Sequence, residues 1–530
     1  MVKTIVKREF LDNILSFKFI ASVLVALVII SICTFVLAAD YKDRLRNYDK
    51  GIALAKEKLA NIPTYSCLTV LIYRRPSPLS IFVSGTDRKA GSYVEFHNVG
   101  MEIPTFLKGG VTKNEFSDMV SVFDLAGVIV IVFTLLAIML SYDSISGEKE
   151  EGVLALILSN SVPRYRLLIG KYLGALISVA VPLAFCFIWG TIVVLFSGGV
   201  GISKELIISL AWLYALSLIY LSLVLLMGTF VSIRTRSSFI SLLVLLSCYL
   251  VFVFLVPQAL RTYSAARIVE QAKNVEKNTN SLYEDRISKV GEALKQLPQT
   301  KTWIIRDQRY MDLYQGRAIV LSRINPPAAL ERQSFFSGLR IRLERDYAVK
   351  IQGLVDEDSK NKRRIRNTLN SILAFDPPSS FERTADLAAD TGVDSLDRFF
   401  EHVVIFWHQY MHYMDEKGAF GLQYFFPGPK ELTAYETELV KRINDDSSWQ
   451  TARGRTVPYV GKYLKEALSY RPNVPNINLD DMPAFNLKPT GITDKIEASF
   501  INVLILLFYN ITFFFLSYVS FNAYDPRKAE

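Results

Sequence analysis

The chain has 530 residues, of which 51% are hydrophobic and 21% charged, with a formal net charge of +9. That balance is too apolar for an ordinary soluble protein and too charged for one lying wholly in lipid, so both kinds of region are expected. The positive excess is shared between loop edges and outer segments; a membrane surface accounts for it, and no nucleic-acid partner is expected.

Val2, Val6, Phe10 and Ile14 recur every four residues, flanked by Ile5, Leu11 and Leu15, with charges on the opposite face. This predicts an amphipathic interfacial helix over residues 1–18, or alternatively a helical extension of the first span. Six charge-free stretches then meet the length needed to cross a bilayer: Phe19 to Ala39, Leu125 to Tyr142, Tyr172 to Phe196, Leu206 to Ile233, Ser237 to Pro257 and Ser499 to Phe521. The first follows Lys3, Lys7, Arg8 and Lys18 but lacks a small-x-small cleavage site, so it is read as a retained span. Lys149, Arg164, Arg166 and Lys171 crowd the loop after span two, Arg234 and Arg236 the loop after span four, and only Lys204 the loop after span three. The positive-inside rule therefore puts both termini and residues 522–530 in the cytoplasm.

Two outer segments follow, residues 40–124 and 258–498. The first opens with a charged helical stretch, Lys42 to Ala60, and changes at Arg74-Arg75-Pro76-Ser77-Pro78-Leu79-Ser80-Ile81-Phe82-Val83 into what reads as a rigid turn entering a strand. The second is mainly helical, with Ile268, Ala272 and Val275, then Ile287, Val290, Leu294 and Leu297, at three-and-four spacing. Pro326-Pro327 and Pro377-Pro378 punctuate it. Ser379-Ser380-Phe381-Glu382 reads as a capping box opening a helix, with Gly392 as its terminator. Arg471 to Thr490, with four prolines, reads as an extended return to span six. Of four cysteines, Cys33, Cys186 and Cys248 lie in spans and Cys67 outside, so no intrachain disulfide framework can hold the exterior together. The fold class expected is an α-helical membrane protein with six spans and a mainly helical external domain carrying minor β structure.

Chemistry concentrates in the loop over residues 143–171. Glu148, Glu150 and Glu151 sit where a helix N-terminus favours negative charge, with Lys149 and Gly152 among them. Val153, Leu154, Ile157 and Leu158 then form one apolar face of a short helix, broken at Ser159, Asn160 and Ser161; Pro163 and Arg164 open the next helix. Such a helix joined to two spans suits either docking of a soluble partner or interfacial anchoring.

The run Ser146-Gly147-Glu148-Lys149-Glu150-Glu151-Gly152, with Leu158-Ser159-Asn160-Ser161-Val162-Pro163-Arg164 and Gly170-Lys171-Tyr172, resembles the ABC-2 type permeases. Arg75 to Phe82, Pro378-Ser379-Ser380-Phe381, Leu387-Ala388 and Thr391-Gly392 look like the subgroup with a large external domain, related to the permease component of copper-enzyme maturation systems. The resemblance implies a bacterial cytoplasmic membrane, export as the usual direction, and a coupling element over Glu148 to Arg164 that docks on a separate nucleotide-binding ATPase subunit. ATP and magnesium would be bound by that partner. It implies further that Val6, Phe10 and Ile14 belong to an interfacial elbow in contact with lipid, and that a second permease subunit, identical or paralogous, completes the transporter.

The chain lacks a G-x-x-x-x-G-K-[ST] phosphate loop; Gly198-Gly199-Val200-Gly201-Ile202-Ser203-Lys204 has the wrong spacing and reads as a flexible hairpin. No cofactor or catalytic residue is expected. His408 and His412 stand at i, i+4 spacing with His402 in one expected helix, but Phe406, Trp407, Tyr410 and Tyr413 around them favour an aromatic packing face over a metal site. The absence of H-E-x-x-H disfavours a metalloprotease. Span interiors without ionisable residues argue against a proton relay, and Asn502, Tyr509, Asn510 and Thr512 in span six fit interhelical hydrogen bonding better than a transport path. Pro182 is expected to kink span three. The expected function is the permease subunit of an ATP-driven transporter. The alternatives are a membrane subunit that passes mechanical work to an extracytoplasmic protein partner, and a membrane receptor.

Overall fold

The computed structural model describes residues 2–60, 62, 65, 68–97, 108, 124–159, 163–197, 203–296, 327–419, 433–445, 476–487 and 490–524. Cys67, Asn160, the glycine run at 198–202, Pro326 and residues 471–475 and 525–530 lie outside them. Among the described residues, six helices are long and apolar enough to cross a membrane. The protein is an α-helical membrane protein with a minor sheet.

In chain order, α1 (Val2–Ile14) precedes α2 (Phe17–Ala60), which carries the first apolar stretch and runs on unbroken through the charged residues beyond it. Strands β1 (Thr69–Tyr73) and β2 (Tyr93–His97) follow. Helix α3 (Leu125–Val128), a π segment (Ile129–Phe133) and α4 (Thr134–Ser141) together form the second span. Two short helices, α5 (Ser146–Glu150) and α6 (Val153–Ser159), lead to α7 (Arg164–Ser197), α8 (Lys204–Arg234) and α9 (Ser238–Tyr249). A second π segment (Leu250–Leu255) joins α9 to α10 (Val256–Gln296). Pro257 has no N–H to donate to the preceding turn, and the π segment lies directly before it, so the helix passes the proline instead of ending there. Beyond lie α11 (Pro327–Leu373), α12 (Pro377–Ala389), α13 (Val393–Glu416), α14 (Ala434–Asp445) and the last span, α15 (Ile492–Ala523).

The bundle core joins α2, α3, α4, α7 and α8 through side chains such as Phe133, Leu183, Leu216, Tyr220 and Leu225, all essentially without solvent access. It continues without a break into the outer motif, through Leu79, Ile81 and Phe82, and into α12 through Phe381, Ala385 and Ala389. Phe381 stacks on Tyr220 with ring centroids 4.9 Å apart, seating α12 against the bundle.

A second core lies outside the spans. β1 and β2 pair antiparallel from Thr69↔His97 to Tyr73↔Tyr93, and alternation puts Val70, Ile72, Val94 and Phe96 on one buried face. A two-stranded ribbon is marginal alone. Phe399, Val403, Phe406, Tyr410 and Met414 of α13 cover it, with Ile477, Leu479 and Phe485 of the return segment. The aromatic face expected around the histidines is this packing surface.

Three local expectations are corrected. The residues after Arg74 do not enter a strand: the strand precedes them, and Pro78–Ile81 is a 3-10 turn, since two prolines cannot donate to a ladder. Ser379 does not cap α12; Asp376 does, accepting from the Ser379 N–H at 3.1 Å. The helix ends on Asp390, left-handed at φ 58°, while Gly392 instead caps the start of α13.

Both outer motifs singled out by resemblance meet. Ser77 Oγ donates to Ala389 O at 2.7 Å, and Thr86 N–H to Thr391 O at 2.9 Å. Behind them, Arg44 bridges Asp40 (2.9 Å) and Asp87 (2.7 Å), Arg74 pairs with Asp87 (2.8 Å) and Arg88 with Asp40 (3.0 Å). This largely buried network ties the extension of α2 to the outer motif.

Candidate functional site

The loop between α4 and α7 folds as two helices, not one. Gly152, at φ +72°, breaks the chain between α5 and α6, a conformation that costs a residue with Cβ. The break lets the two helices present different faces.

Backbone capping fixes α5. The Ile145 and Ser146 N–H groups both donate to Ser232 Oγ, at 3.0 and 2.9 Å, satisfying donors that a helix start leaves open. Lys149 reaches the end of α8, where its ammonium donates to the carbonyls of Ser232 (3.3 Å), Ile233 and Thr235 (3.0 Å). A cation at a helix C-terminus meets both open carbonyls and the negative end of the dipole. Arg164 does the same for α15, donating to Phe521 O (3.1 Å), Asn522 O (2.7 Å) and Tyr524 O (2.8 Å). Lys149 also stands 4.9 Å from the Tyr524 ring centroid.

Lys171 joins three elements: from α7 it contacts Glu148 of α5 at 2.9 Å and Glu9 of α1 at 3.4 Å. Burial raises the Glu9 carboxyl above its ordinary range, against the pull of Lys171. α1 itself lies against α7 on a ladder of small residues. A Cβ on Gly170 would fall 2.7 Å from Ile5, and one on Gly174 2.6 Å from Glu9, while Asn13 donates to Ser178 Oγ at 3.3 Å. Val6, Phe10 and Ile14 are half-buried on that side, and Leu11 and Leu15 are exposed.

The apolar face read from the sequence turns inward. Leu154 is buried, and Ile157 and Leu158 pack with it against Ile145, Leu167, Leu168, Ile233 and Phe521. Pro163 stands just before α7, its carbonyl accepting from the Arg166 N–H at 2.9 Å. Exposed instead are Glu150, Glu151, Gly152, Leu156 and Ser159, with Leu156 68% accessible. Sequence reasoning passed over Leu156, Ser232 and Glu9. A lone leucine off the apolar stripe carries no periodic signal, and the other two act through contacts distant in sequence. The structure thus separates the segment into residues that clamp (Glu148, Lys149, Leu154, Ile157, Leu158, Arg164) and residues that face away.

His412 Nε2 lies 3.2 Å from Glu416 Oε1, and the His408 ring sits edge-on to Trp407. Among the described residues, no group of three or more His, Cys, Asp or Glu is placed to hold a metal.

Six spanning helices, with a two-helix element held to the ends of α7, α8 and α15, define a multi-pass membrane protein of the permease kind. Residues 3–310 match the family described as ABC-2 family transporter protein, and the chain belongs to that family. Membership makes it a membrane transport component that works with an ABC ATPase subunit. The match takes in α1 to α10; α11 to α15 lie beyond it. No curated protein matches the chain.

Proposed function

We propose that this chain is the permease subunit of an ATP-driven exporter of the bacterial cytoplasmic membrane, docked through α5 and α6 by a cytoplasmic nucleotide-binding subunit that carries ATP and magnesium. The observation behind this reading is the division of labour in residues 145–159: one face is fixed to the ends of α8 and α15 and to α7, while Glu151 and Leu156 are exposed. A push on the exposed side is passed to three spans at once. Export direction, a second permease copy and the relation to copper-enzyme maturation systems belong to the same proposal.

Leu156→Asp tests the docking face. It should leave the protein in the membrane with unchanged thermal stability while reducing co-purification of the ATPase and its stimulated turnover at least about tenfold, the effect of losing one buried apolar anchor. Retained binding and turnover would sink the assignment. Leu158→Asp is the contrasting variant, since it strikes the internal cluster and should lower stability first.

A second reading, in which the subunit drives an extracytoplasmic partner without moving cargo, draws on α2 and the α9–α10 rod, which run without a break from apolar spans into the outer region. Reconstituted complex whose ATPase activity rises with a protein partner, and shows no flux of any candidate cargo, would favour it.

A further inference from the structure

A cavity of about 450 Å³ opens between α7, α8 and α15, within the size range of small-molecule sites. Its wall is apolar, from Leu176, Leu218, Leu226, Ile511 and Phe514 among others. On its base three polar side chains meet, one from each helix. Ser222 Oγ donates to Asn510 Oδ1 at 2.6 Å, so the Tyr172 hydroxyl, 2.6 Å from Ser222 Oγ, is the donor of that pair. Asn510 Nδ2 donates to Ile219 O at 3.1 Å and to Leu506 O at 2.8 Å. Every proton of the trio is therefore committed, and what remains is acceptor capacity on Tyr172 Oη, Ser222 Oγ and Asn510 Oδ1.

We infer that this cavity binds an amphiphile with an apolar chain and a headgroup that donates hydrogen bonds and carries no negative charge, such as a long-chain alcohol or amine. An anionic headgroup would face acceptors alone, with no cation among the lining residues. Depth agrees with entry from lipid: counted along their helices, Tyr172, Ser222 and Asn510 stand about 12 to 20 Å from the ends nearest α5, at 1.5 Å per residue. Leu507 and Ile511, on the rim, are 39% and 70% exposed, which leaves a lateral mouth. The inference rests on the permease reading and adds a substrate class to it.

The test uses the whole complex in liposomes with three photoreactive probes of equal chain length: an alcohol, a carboxylate at a pH where it is ionised, and a plain alkane. The alcohol should label peptides of α7, α8 and α15 about tenfold above the other two, the factor expected of one net hydrogen bond. Asn510→Leu should bring alcohol labelling down to the alkane level. Leu507→Trp, which fills the mouth and leaves the hydrogen bonds alone, should abolish it, so a folding defect in the first variant does not decide the matter. Equal labelling by all three probes would overturn the proposal and leave a groove filled by bulk lipid. Efficient disulfide formation between two copies carrying Leu507→Cys would overturn it too, by showing that a second subunit covers the mouth. Labelling needs no ATPase, so failure here is separable from failure of the docking reading.

Discussion

Lys171 is 6% exposed and faces carboxylates from two other elements, so removing its charge would strand Glu9 and Glu148 together. Lys171→Met is expected to cost about 3 kcal/mol in thermal unfolding in detergent, typical of breaking a buried pair from one side. Adding Glu9→Gln should recover part of that loss, which a double-mutant cycle would read as coupling. Asp386, in α12, gives a pH dependence. Burial, then the nearby Asp124 and Glu382, against Arg261, push its carboxyl up from 3.8 to about 8. Between those values the folded protein keeps a proton that the unfolded chain releases, so this contribution is full below about pH 4 and is lost as pH rises toward 8. Asp386→Asn should match the parent near pH 4 and melt above it at pH 8, a difference that melting scans across pH would check. At this scale little is legible in the sequence. Glu148, Lys149 and Arg164 stand out as charges in the right loop, but their partners are backbone carbonyls on α8 and α15 and a lysine on α7, which chain reversal alone brings near.

Helix against helix, α1 approaches α7 closely across Gly170 and Gly174. Gly174→Leu should lift α1 away, and with it Glu9 from Lys171; cross-linking between Asn13→Cys and Ser178→Cys is expected to fall severalfold, whereas unchanged cross-linking would show that the glycines are incidental. The spans are readable because a chain that stays in water seldom runs for about 20 apolar residues without a charge. Helix α6 is half readable: its apolar stripe announces a packed face, and amphipathicity does not say whether that face meets lipid, a partner or the protein itself. It meets the protein itself, which moves the docking question to Leu156. Where one element stops and the next starts is least readable, because Asp376 and Asp390 act through cap geometry that no spacing rule singles out over Ser379 and Gly392.

Across the whole molecule, the outer segments are continuous with the bundle. The apolar core runs from the spans into α12, and Arg44, Arg74 and Arg88 lock the α2 extension to the loop that touches α12. Asp49→Pro, at an exposed site in that extension, should interrupt the helix without opening the core. Spin labels on α2 at either side of it should then lose the fixed separation they hold in the parent, while binding of the ATPase is kept. None of this continuity is visible in the sequence, where the charged stretch after the first span reads simply as a helical opening to a separate segment. The rod made by α9, its π segment and α10 has a geometric consequence. Its α10 portion alone is 41 residues, about 60 Å at 1.5 Å per residue, so a tilt of about 5° at the bilayer would sweep the far tip by about 5 Å. Sub-ångström adjustments among the packed spans would emerge at the remote end of the rod enlarged to the width of a side chain.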